Sequence, residues 1–275
     1  MTDGASPPPT TFASATLWIV DLDGVVWLTG EPIGPVGQAV ATLREHGIRV
    51  VFATNNSAPT TAELLARLDR IGIGSAPGDL ATSAAAVASL LEPGQRVRVL
   101  AEGGVLESLA DRGVEAVTEG DPGATEAAVV GWSHSFDFAT LAATATAARQ
   151  SGRLLATNED PTHPTPDGLM PGSGALLAAV ATASGVTPEI AGKPHAAMAG
   201  IMQERFGFTE GDPSVVMIGD QPGTDGRLAE RLGIPFGLVD SGVTPPGTHA
   251  FDVAVHARAA DFVSLVRSCL GPGTV

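Results

Sequence analysis

The stretch TLWIVDLDG, residues 16–24, decides the fold because an apolar run stops abruptly at two aspartates and a glycine. Its first five residues, rich in β-branched and aromatic side chains, predict a short buried strand. The next apolar side chains recur at the spacing of one helix face, at Val36, Ala39, Val40 and Leu43. A second apolar run, IRVVFA at 48–53, ends in TNNS. This order of strand, helix and strand predicts parallel strands joined by right-handed crossovers.

The same alternation returns near the end of the chain. Strands are predicted there at SVVMI (214–218), PFGLV (235–239) and FDVAV (251–255). A helix is predicted over 194–207, with Pro194 in its first turn, where the missing N–H of proline does no harm. The late segments are therefore expected to extend the sheet that residues 16–24 begin.

The middle of the chain has a strand–helix rhythm of its own, which predicts a second α/β domain. We expect a core domain of residues 15–79 and 189–275, with residues 80–188 inserted into it. Within the inserted domain, residues 158–174 are expected to form a long loop rich in proline and glycine. Residues 1–14, rich in proline, serine and threonine, are expected to be a disordered tail.

Composition excludes several classes of function. Of the 275 residues 44% are hydrophobic and 16% charged, so the chain can bury a core, and its net charge of -15 argues against nucleic-acid or anionic-membrane partners. A small phosphate ligand needs only local positive charge and stays possible. The single cysteine and the scattered histidines make a disulfide framework or a zinc site improbable. We find neither a signal peptide nor an apolar run long enough to span a membrane, so a cytoplasmic location is the default expectation.

Polar residues follow three of the predicted strands at their carboxyl ends. They are Asp21 and Asp23; Thr54, Asn55 and Asn56; and Asp220 with Asp225. Ligands of parallel sheets bind at this edge. Each group also suits an ordinary turn or polar loop. Two acidic clusters at one edge would repel each other unless a cation lay between them, and a hard divalent ion such as Mg²⁺ fits oxygen ligands.

Lys193, in the stretch EIAGKPH (189–195), is the only lysine beside 14 arginines. It can be a remnant of a coding bias towards arginine. It can also be required, because an ammonium is a compact charge and a guanidinium is a wide planar fork. Together with Thr54 and Asn55, which can donate hydrogen bonds to phosphate, the functional interpretation of Lys193 is favoured.

The order of four motifs resembles the haloacid dehalogenase superfamily of phosphohydrolases. The matching strings are DLDGVVW, VVFATNNS, AGKPH and IGDQPGTD, together with TNEDPTHPTPDGLMPGSGA in the middle domain. The resemblance is closest to subfamily IIA, which includes NagD-like, 4-nitrophenylphosphatase-like, phosphoglycolate, glycerol-phosphate and pyridoxal-phosphate phosphatases. It implies an α/β fold with a Rossmann-like core, a parallel sheet and an inserted α/β cap domain of the C2 type. The chain departs from the family pattern within GDQPGTDG and at Trp132 and Ser133.

The resemblance also implies the role of each site residue. Asp21 is expected to be the nucleophile and Asp23 the acid–base residue. Mg²⁺ is expected to be held by Asp21, the backbone carbonyl of Asp23 and Asp220. Asp225 is expected to support this metal site and to orient Lys193. The residues expected to bind the phosphoryl group are Gly24, Thr54, Asn55, Asn56 and Lys193. Asp160, His163 and the PGSG turn (171–174) are the expected substrate contacts of the cap, although this segment also suits plain turn chemistry.

The function expected from the sequence is a Mg²⁺-dependent phosphatase of small phosphorylated metabolites that works through an aspartyl-phosphate. Glycerol 3-phosphate or a similar small phosphomonoester is the favoured substrate. A catalytically silent phosphometabolite-binding module and a phosphotransferase remain as alternatives. A homodimer formed through the cap is plausible by analogy with related enzymes.

Overall fold

The computed structural model describes residues 10–120, 123–165, 168–244, 248 and 250–271. The described strands are β1 (Leu17–Asp21), β2 (Trp27–Leu28), β3 (Glu31–Pro32), β4 (Arg49–Thr54), β5 (Leu80–Thr82), β6 (Arg96–Leu100), β7 (Glu115–Val117), β8 (Ala127–Val130), β9 (Leu154–Ala156), β10 (Thr162–Thr165), β11 (Gly168–Pro171), β12 (Pro188–Ile190), β13 (Val215–Gly219), β14 (Phe236–Val239) and β15 (Ala257–Ala259).

The described helices are α1 (Thr10–Ser14), α2 (Val36–Glu45), α3 (Thr61–Arg70), α4 (Ser83–Ser89), α5 (Gly103–Asp111), α6 (Phe138–Ser151), α7 (Ser173–Ser184), α8 (Ala196–Phe206), α9 (Arg227–Leu232) and α10 (Phe262–Leu270). A 3₁₀ turn over Pro77–Asp79 and a π-helical turn over Pro222–Gly226 complete the set.

The chain divides into two compact units. Unit 1 holds the described residues up to Ala53, then Leu65–Leu80, and those from Met202 onward; unit 2 holds Thr54–Leu64 and Ala81–Ile201. The predicted domain borders differ from this division, because they place residues 54–64 and 189–201 in the core domain. As a description of folding domains, the borders at 80 and 188 stay a prediction.

The sheet of unit 1 contains the strands β15, β14, β13, β1 and β4, which lie side by side in this order. Strand β1 lies inside it, parallel to both β13 and β4, and all five of its residues are buried. Strands buried on both faces read as continuous apolar runs, which is why LWIV and VVMI were recognisable in the sequence. Beneath this sheet Trp18 contacts Phe12 and Phe262 edge to face, with ring centroids 6.1 and 6.2 Å apart.

Unit 2 contains a parallel sheet of order β12-β9-β8-β6-β7. Helices α6 and α7 pack against each other and against this sheet. Their shared core is built from small and branched apolar side chains, among them Ala128, Val130, Leu154, Leu176 and Val180. The parallel sheets with helices confirm the predicted α/β fold class.

Three local expectations from the sequence are wrong. FDVAV (251–255) is not a strand: none of its residues is buried, and the last strand is β15 instead. The helix predicted from residue 194 begins at Ala196, so Pro194 lies before it. Residues 158–174 are not a structureless loop, because β10 and β11 pair antiparallel within it; a two-stranded ribbon tolerates the prolines that suggested a loop.

The expected disordered tail also needs correction where it is described. Residues 10–14 form α1, and Phe12 in this helix is fully buried against Trp18. Because the residues around Phe12 are mostly polar, the sequence did not indicate that this side chain is buried. The earlier part of the predicted tail, residues 1–9, lies outside the described residues.

Candidate active site

Three buried carboxylates meet at the carboxyl ends of the strands of unit 1. Asp21 is the last residue of β1, Asp220 directly follows β13, and Asp225 comes from the π-helical turn after it. One carboxylate oxygen of each lies within 4.8 Å of the others. The three side chains are 5%, 1% and 0% exposed. Buried like charges this close need a cation, and the all-oxygen donor set fits Mg²⁺.

The register of the parallel strands brings these residues together. Val20 pairs with Ile218, so the next residues on both strands reach the same edge. On the other side, Asp21 pairs with Ala53, and Thr54 is the last residue of that strand. The strand-end rule applied to the sequence therefore placed Asp21 and Asp220 correctly at one edge.

Asp23 does not join the three-carboxylate group. Its Oδ1 accepts a hydrogen bond of 3.0 Å from Nε1 of Trp27, within a turn closed by the Gly24 N–H donating to the carbonyl oxygen of Trp27 at 2.7 Å. Trp27 thus fixes the orientation of the Asp23 carboxylate. Its position in DLDGVVW, four residues after Asp23, could have signalled this contact. The metal role expected for the Asp23 carbonyl stays a prediction.

Gly24, expected to bind phosphate, has a steric reason to be glycine. Its φ is +87°, and a Cβ atom added to it would lie 2.6 Å from Cγ of Asp220. A side chain here would both strain the backbone and displace a carboxylate of the site. The geometry explains why glycine follows the second aspartate, and a phosphate contact of Gly24 stays a prediction.

Thr54 ends β4 and is followed by Asn55 and Asn56, and all three residues belong to unit 2. Thr54 is buried, and its Oγ1 accepts a hydrogen bond of 3.0 Å from the Asn56 N–H. Oδ1 of Asn56 accepts another, of 3.2 Å, from the Ala58 N–H. These side chains therefore shape the turn in the way that threonine and asparagine commonly do.

Asn55 links the segment to Lys193. Its Oδ1 accepts from the Lys193 N–H at 2.8 Å, and its Nδ2 donates to the Lys193 carbonyl oxygen and to Oδ2 of Asp160, both at 3.2 Å. Lys193 is only 3% exposed. The structure thus brings three predicted site residues together within unit 2. The Asn55 amide is engaged with the protein itself, so its predicted contact with phosphate would require an exchange of these bonds.

Two residues that support Asn55 were missed in the sequence. Ser83 Oγ and Asn158 Nδ2 donate to the Asn55 carbonyl oxygen at 2.6 and 2.8 Å. Asn158 follows β9 in LLATN, much as Asn55 follows β4 in FAT. The strand-end rule applied to the middle domain could have found it, whereas Ser83 carries no such signal.

His163 contacts an aromatic ring. It sits on β10, with its ring centroid 5.5 Å from that of Trp132, and Trp132 also contacts His134 at 4.2 Å. Trp132 Nε1 donates to the Pro171 carbonyl oxygen at 3.0 Å. Trp132, noted as a departure from the family pattern, therefore ties together the ribbon that carries His163.

The PGSG turn is closed by backbone hydrogen bonds. The Gly172 N–H donates to the carbonyl oxygen of Pro161, and the Gly174 N–H donates to that of Asp160, both at 2.9 Å. Turn chemistry thus accounts for these residues, and their substrate contact stays a prediction.

Among the helices of the described residues, none combines the length and the apolar character required for a membrane span.

Comparison with known proteins gives the same family across both halves of the chain. A model described as haloacid dehalogenase-like hydrolase matches residues 18–115, and a HAD-hydrolase-like model matches residues 190–265. A 5'-nucleotidase of Bacillus subtilis (strain 168) is 30% identical over 231 residues, which cover 82% of this chain and 88% of that protein. The D-glycerol 3-phosphate phosphatase of Mycobacterium tuberculosis is 33% identical over 229 residues; the match covers 82% of this chain but only 63% of that relative.

Solved structures agree with the sequence matches. A p-nitrophenyl phosphatase from Archaeoglobus fulgidus superposes with a TM-score of 0.85 at 26% identity, covering 93% of this chain and 99% of that one. The glycerol phosphate phosphatase of Mycobacterium tuberculosis in complex with magnesium gives a TM-score of 0.82 at 31% identity, over 92% and 76% of the two chains. The expected enzyme class, a phosphoric monoester hydrolase, is confirmed by these matches, and the chain belongs to the haloacid dehalogenase-like hydrolases.

Proposed function

We propose that this chain is a Mg²⁺-dependent phosphatase that hydrolyses a small phosphorylated metabolite through an aspartyl-phosphate. The observation that carries the proposal is the buried group of Asp21, Asp220 and Asp225, whose carboxylate oxygens lie within 4.8 Å of one another. Such a group is costly in a folded protein without a cation. Magnesium sites of phosphoryl-transfer enzymes use one or two carboxylates together with substrate phosphate.

Asp21, Asp220 and Asp225 are the residues that would hold the metal ion, together with the Asp23 carbonyl expected from the resemblance. When bound, Mg²⁺ supplies positive charge that offsets the negative charge of the phosphoryl group and of the nucleophile. The burial of all three carboxylates keeps bulk water away from them, which strengthens their interaction with a cation.

The first half of the reaction uses Asp21 and Asp23. A carboxylate oxygen of Asp21 attacks phosphorus, and the bond between phosphorus and the leaving oxygen breaks. Asp23 gives its proton to that oxygen, so the product leaves as an alcohol. Because Trp27 Nε1 holds Oδ1 of Asp23, the carboxyl group is oriented before the substrate arrives.

The second half returns both residues to their starting state. Asp23, now a carboxylate, takes a proton from water while the water oxygen bonds to phosphorus. The bond between phosphorus and Asp21 breaks, which releases inorganic phosphate. General acid–base assistance of this kind contributes about 10² to 10⁴-fold to the rate.

The phosphoryl oxygens are proposed to be bound by the residues that the sequence resemblance assigns: Gly24, Thr54, Asn55, Asn56 and Lys193. The hydrogen bonds of Asn55 to both the N–H and the carbonyl oxygen of Lys193 support this by fixing the backbone that carries the ammonium group. Loss of one such positive donor typically costs about 10² to 10³-fold in rate.

Glycerol 3-phosphate, or a phosphomonoester of similar size, is the proposed substrate. The support is the 33% identity to a D-glycerol 3-phosphate phosphatase, although the chain covers 63% of that protein. Asp160 and His163 are the proposed contacts to the leaving group, since both lie on the segment that carries β10 and β11. A homodimer through the cap and a cytoplasmic location remain predictions.

The substrate is tested by measuring phosphate release from a panel of phosphoesters with Mg²⁺ and with a chelator. The panel contains glycerol 3-phosphate, phosphoglycolate, pyridoxal phosphate, sugar phosphates, nucleoside monophosphates and 4-nitrophenyl phosphate. We expect Mg²⁺-dependent release, fastest from one small metabolite. Folded, Mg²⁺-loaded protein that releases no phosphate from any member would instead favour a silent binding module. Consumption of a phosphoester that appears as a phosphorylated form of an added alcohol, without release of inorganic phosphate, would favour a phosphotransferase.

A further inference from the structure

Asp220 is held by a segment of unit 1 that belongs to none of the sequence motifs discussed above. This segment, residues 241–244, follows β14 by one residue. The Val243 N–H donates to Oδ2 of Asp220 at 2.7 Å. The Thr244 hydroxyl donates to the Asp220 carbonyl oxygen. One residue of the candidate metal site is therefore bonded through both its carboxylate and its backbone.

The same segment also reaches the turn that carries Asp23. Ser241 Oγ donates to the Gly24 carbonyl oxygen at 2.7 Å. Ser241 and Thr244 are half-buried and buried, respectively. Short hydroxyl side chains thus connect the segment to the two places where β1 and β13 end.

Gly242 shows how closely the backbone of the segment approaches the carboxylate. A Cβ atom added at this position would lie 1.9 Å from Oδ2 and 2.4 Å from Cγ of Asp220. Contacts under 3.0 Å are essentially never seen for real Cβ atoms. Gly24 approaches the same carboxylate at 2.6 Å by the same measure. The Asp220 carboxylate therefore lies so close to both glycines that a side chain at either position would collide with it.

We propose that Ser241–Thr244 is a positioning clamp that fixes the Asp220 carboxylate in the orientation needed to bind the metal ion. The proposal rests on the proposed function, because it requires Asp220 to be a metal ligand. Residues that hydrogen-bond to a ligand set its orientation, and their loss typically costs about 10- to 100-fold in metal affinity. None of the four residues needs to touch substrate, so each acts through Asp220 or through the Gly24 turn.

The clamp is tested by Mg²⁺ binding to the full chain, measured by isothermal titration calorimetry without substrate. Thr244→Val removes the hydroxyl at nearly constant volume and is expected to weaken Mg²⁺ binding by about 10-fold or more. Thr244→Ser keeps the hydroxyl and is expected to restore the affinity. Thr42→Val is the matched control, because Thr42 is 6% exposed, Thr244 is 7% exposed, and Thr42 Oγ1 also donates to a backbone oxygen, that of Gln38, in unit 1.

Gly242→Ala is the second variant, since its methyl group must displace the Asp220 carboxylate. We expect a loss of Mg²⁺ affinity at least as large as for Thr244→Val, in protein that circular dichroism shows to be folded. If wild type binds Mg²⁺ and both folded variants bind it equally well, the clamp is refuted while the phosphatase proposal stands. An equal loss in Thr42→Val would also refute the clamp. Absence of Mg²⁺ binding in wild type would overturn the proposed metal site and the clamp together.

Discussion

At the scale of single residues, a substitution of Trp27 tests the orientation of the Asp23 carboxylate without changing its charge. Replacement of Trp27 by Phe keeps an aromatic ring but removes the Nε1 donor that holds Oδ1 of Asp23. We expect kcat to fall about tenfold, a part of the 10² to 10⁴-fold that acid–base catalysis contributes. KM should change little, because Trp27 is proposed to act only through Asp23.

Steady-state kinetics of Trp27→Phe with the best substrate of the panel checks this prediction, and a thermal melt confirms that the variant is folded. A rise in KM at unchanged kcat would assign Trp27 to substrate binding. Unchanged kcat and KM would show that the hydrogen bond to Asp23 has no part in catalysis.

The lone lysine is tested by its closest substitute. Lys193→Arg keeps the charge but puts a larger, planar group at a position that is 3% exposed. We expect kcat/KM to fall by about 10²-fold, the typical cost of losing one positioned donor. Arg96→Lys, at a partly exposed ion pair with Glu115, serves as the control and should retain activity. Full activity of Lys193→Arg would mean that the lysine is a remnant of coding bias.

The residues of the candidate site were predictable to different degrees. Asp21 and Asp220 end apolar runs, so a local pattern and the parallel topology sufficed to place them. The engagement of the Asn55 amide with Lys193 and Asp160 was not predictable, because these residues are more than 100 positions apart in sequence. The clamp residues were missed for a different reason. Thr244 lies only 24 positions from Asp220, but no sequence pattern signals a hydroxyl that donates to a backbone carbonyl oxygen.

At the scale of secondary-structure elements, the short helix α1 is expected to contribute more to the stability of the fold than its polar sequence suggests. Phe12 is fully buried against Trp18. We expect Phe12→Ala to lower the free energy of unfolding by about 3–5 kcal/mol, as is typical of buried phenylalanine. Urea denaturation measures this. Phe138→Ala is the control, because Phe138 is 84% exposed and should change stability by about 0.5 kcal/mol or less. Equal effects of the two variants would contradict the anchoring role of α1.

The start of α6 makes stability depend on pH. Asp137 caps this helix: its Oδ1 accepts from the Thr140 N–H at 2.8 Å, and this hydrogen bond, with another from the Thr140 hydroxyl, lowers the pKa of Asp137. Because the folded pKa lies below the unfolded value of about 3.9, the charged cap stabilises the fold above that pH. This contribution is lost as pH falls through the folded pKa.

Asp137→Asn isolates the effect, since asparagine also caps helices but does not titrate. We expect the melting temperature of wild type to fall more than that of Asp137→Asn between about pH 6 and about pH 3. Thermal melts at the two pH values check this. The same decrease in both proteins would show that other carboxylates account for the acid sensitivity.

Secondary-structure elements were predicted correctly where apolar residues recur in a regular pattern. The prediction failed where the local amino-acid composition was misleading. The run LWIV and the helix face of α2 stand out because each is apolar in a regular pattern. FDVAV alternates like a strand, yet Phe251 contacts the Arg258 guanidinium instead, 5.7 Å from its ring centroid. The ribbon of β10 and β11 was hidden by prolines that normally indicate loops.

At the scale of the whole molecule, the acidic composition and the candidate site are consistent. A net charge of -15 argues against a nucleic-acid partner. A small phosphoester needs only the local positive charge of a metal ion and Lys193. The chain is thus expected to act on small anions rather than on nucleic acid.

The most direct test of the account is phosphate release by Asp21→Asn beside wild type, with Mg²⁺ and the best substrate of the panel. Asparagine keeps the shape of the side chain but is not a nucleophile at phosphorus. We predict that the variant folds as wild type does and releases no phosphate above background. Phosphate release by Asp21→Asn at the wild-type rate would contradict the aspartyl-phosphate mechanism and, with it, the function proposed for this chain.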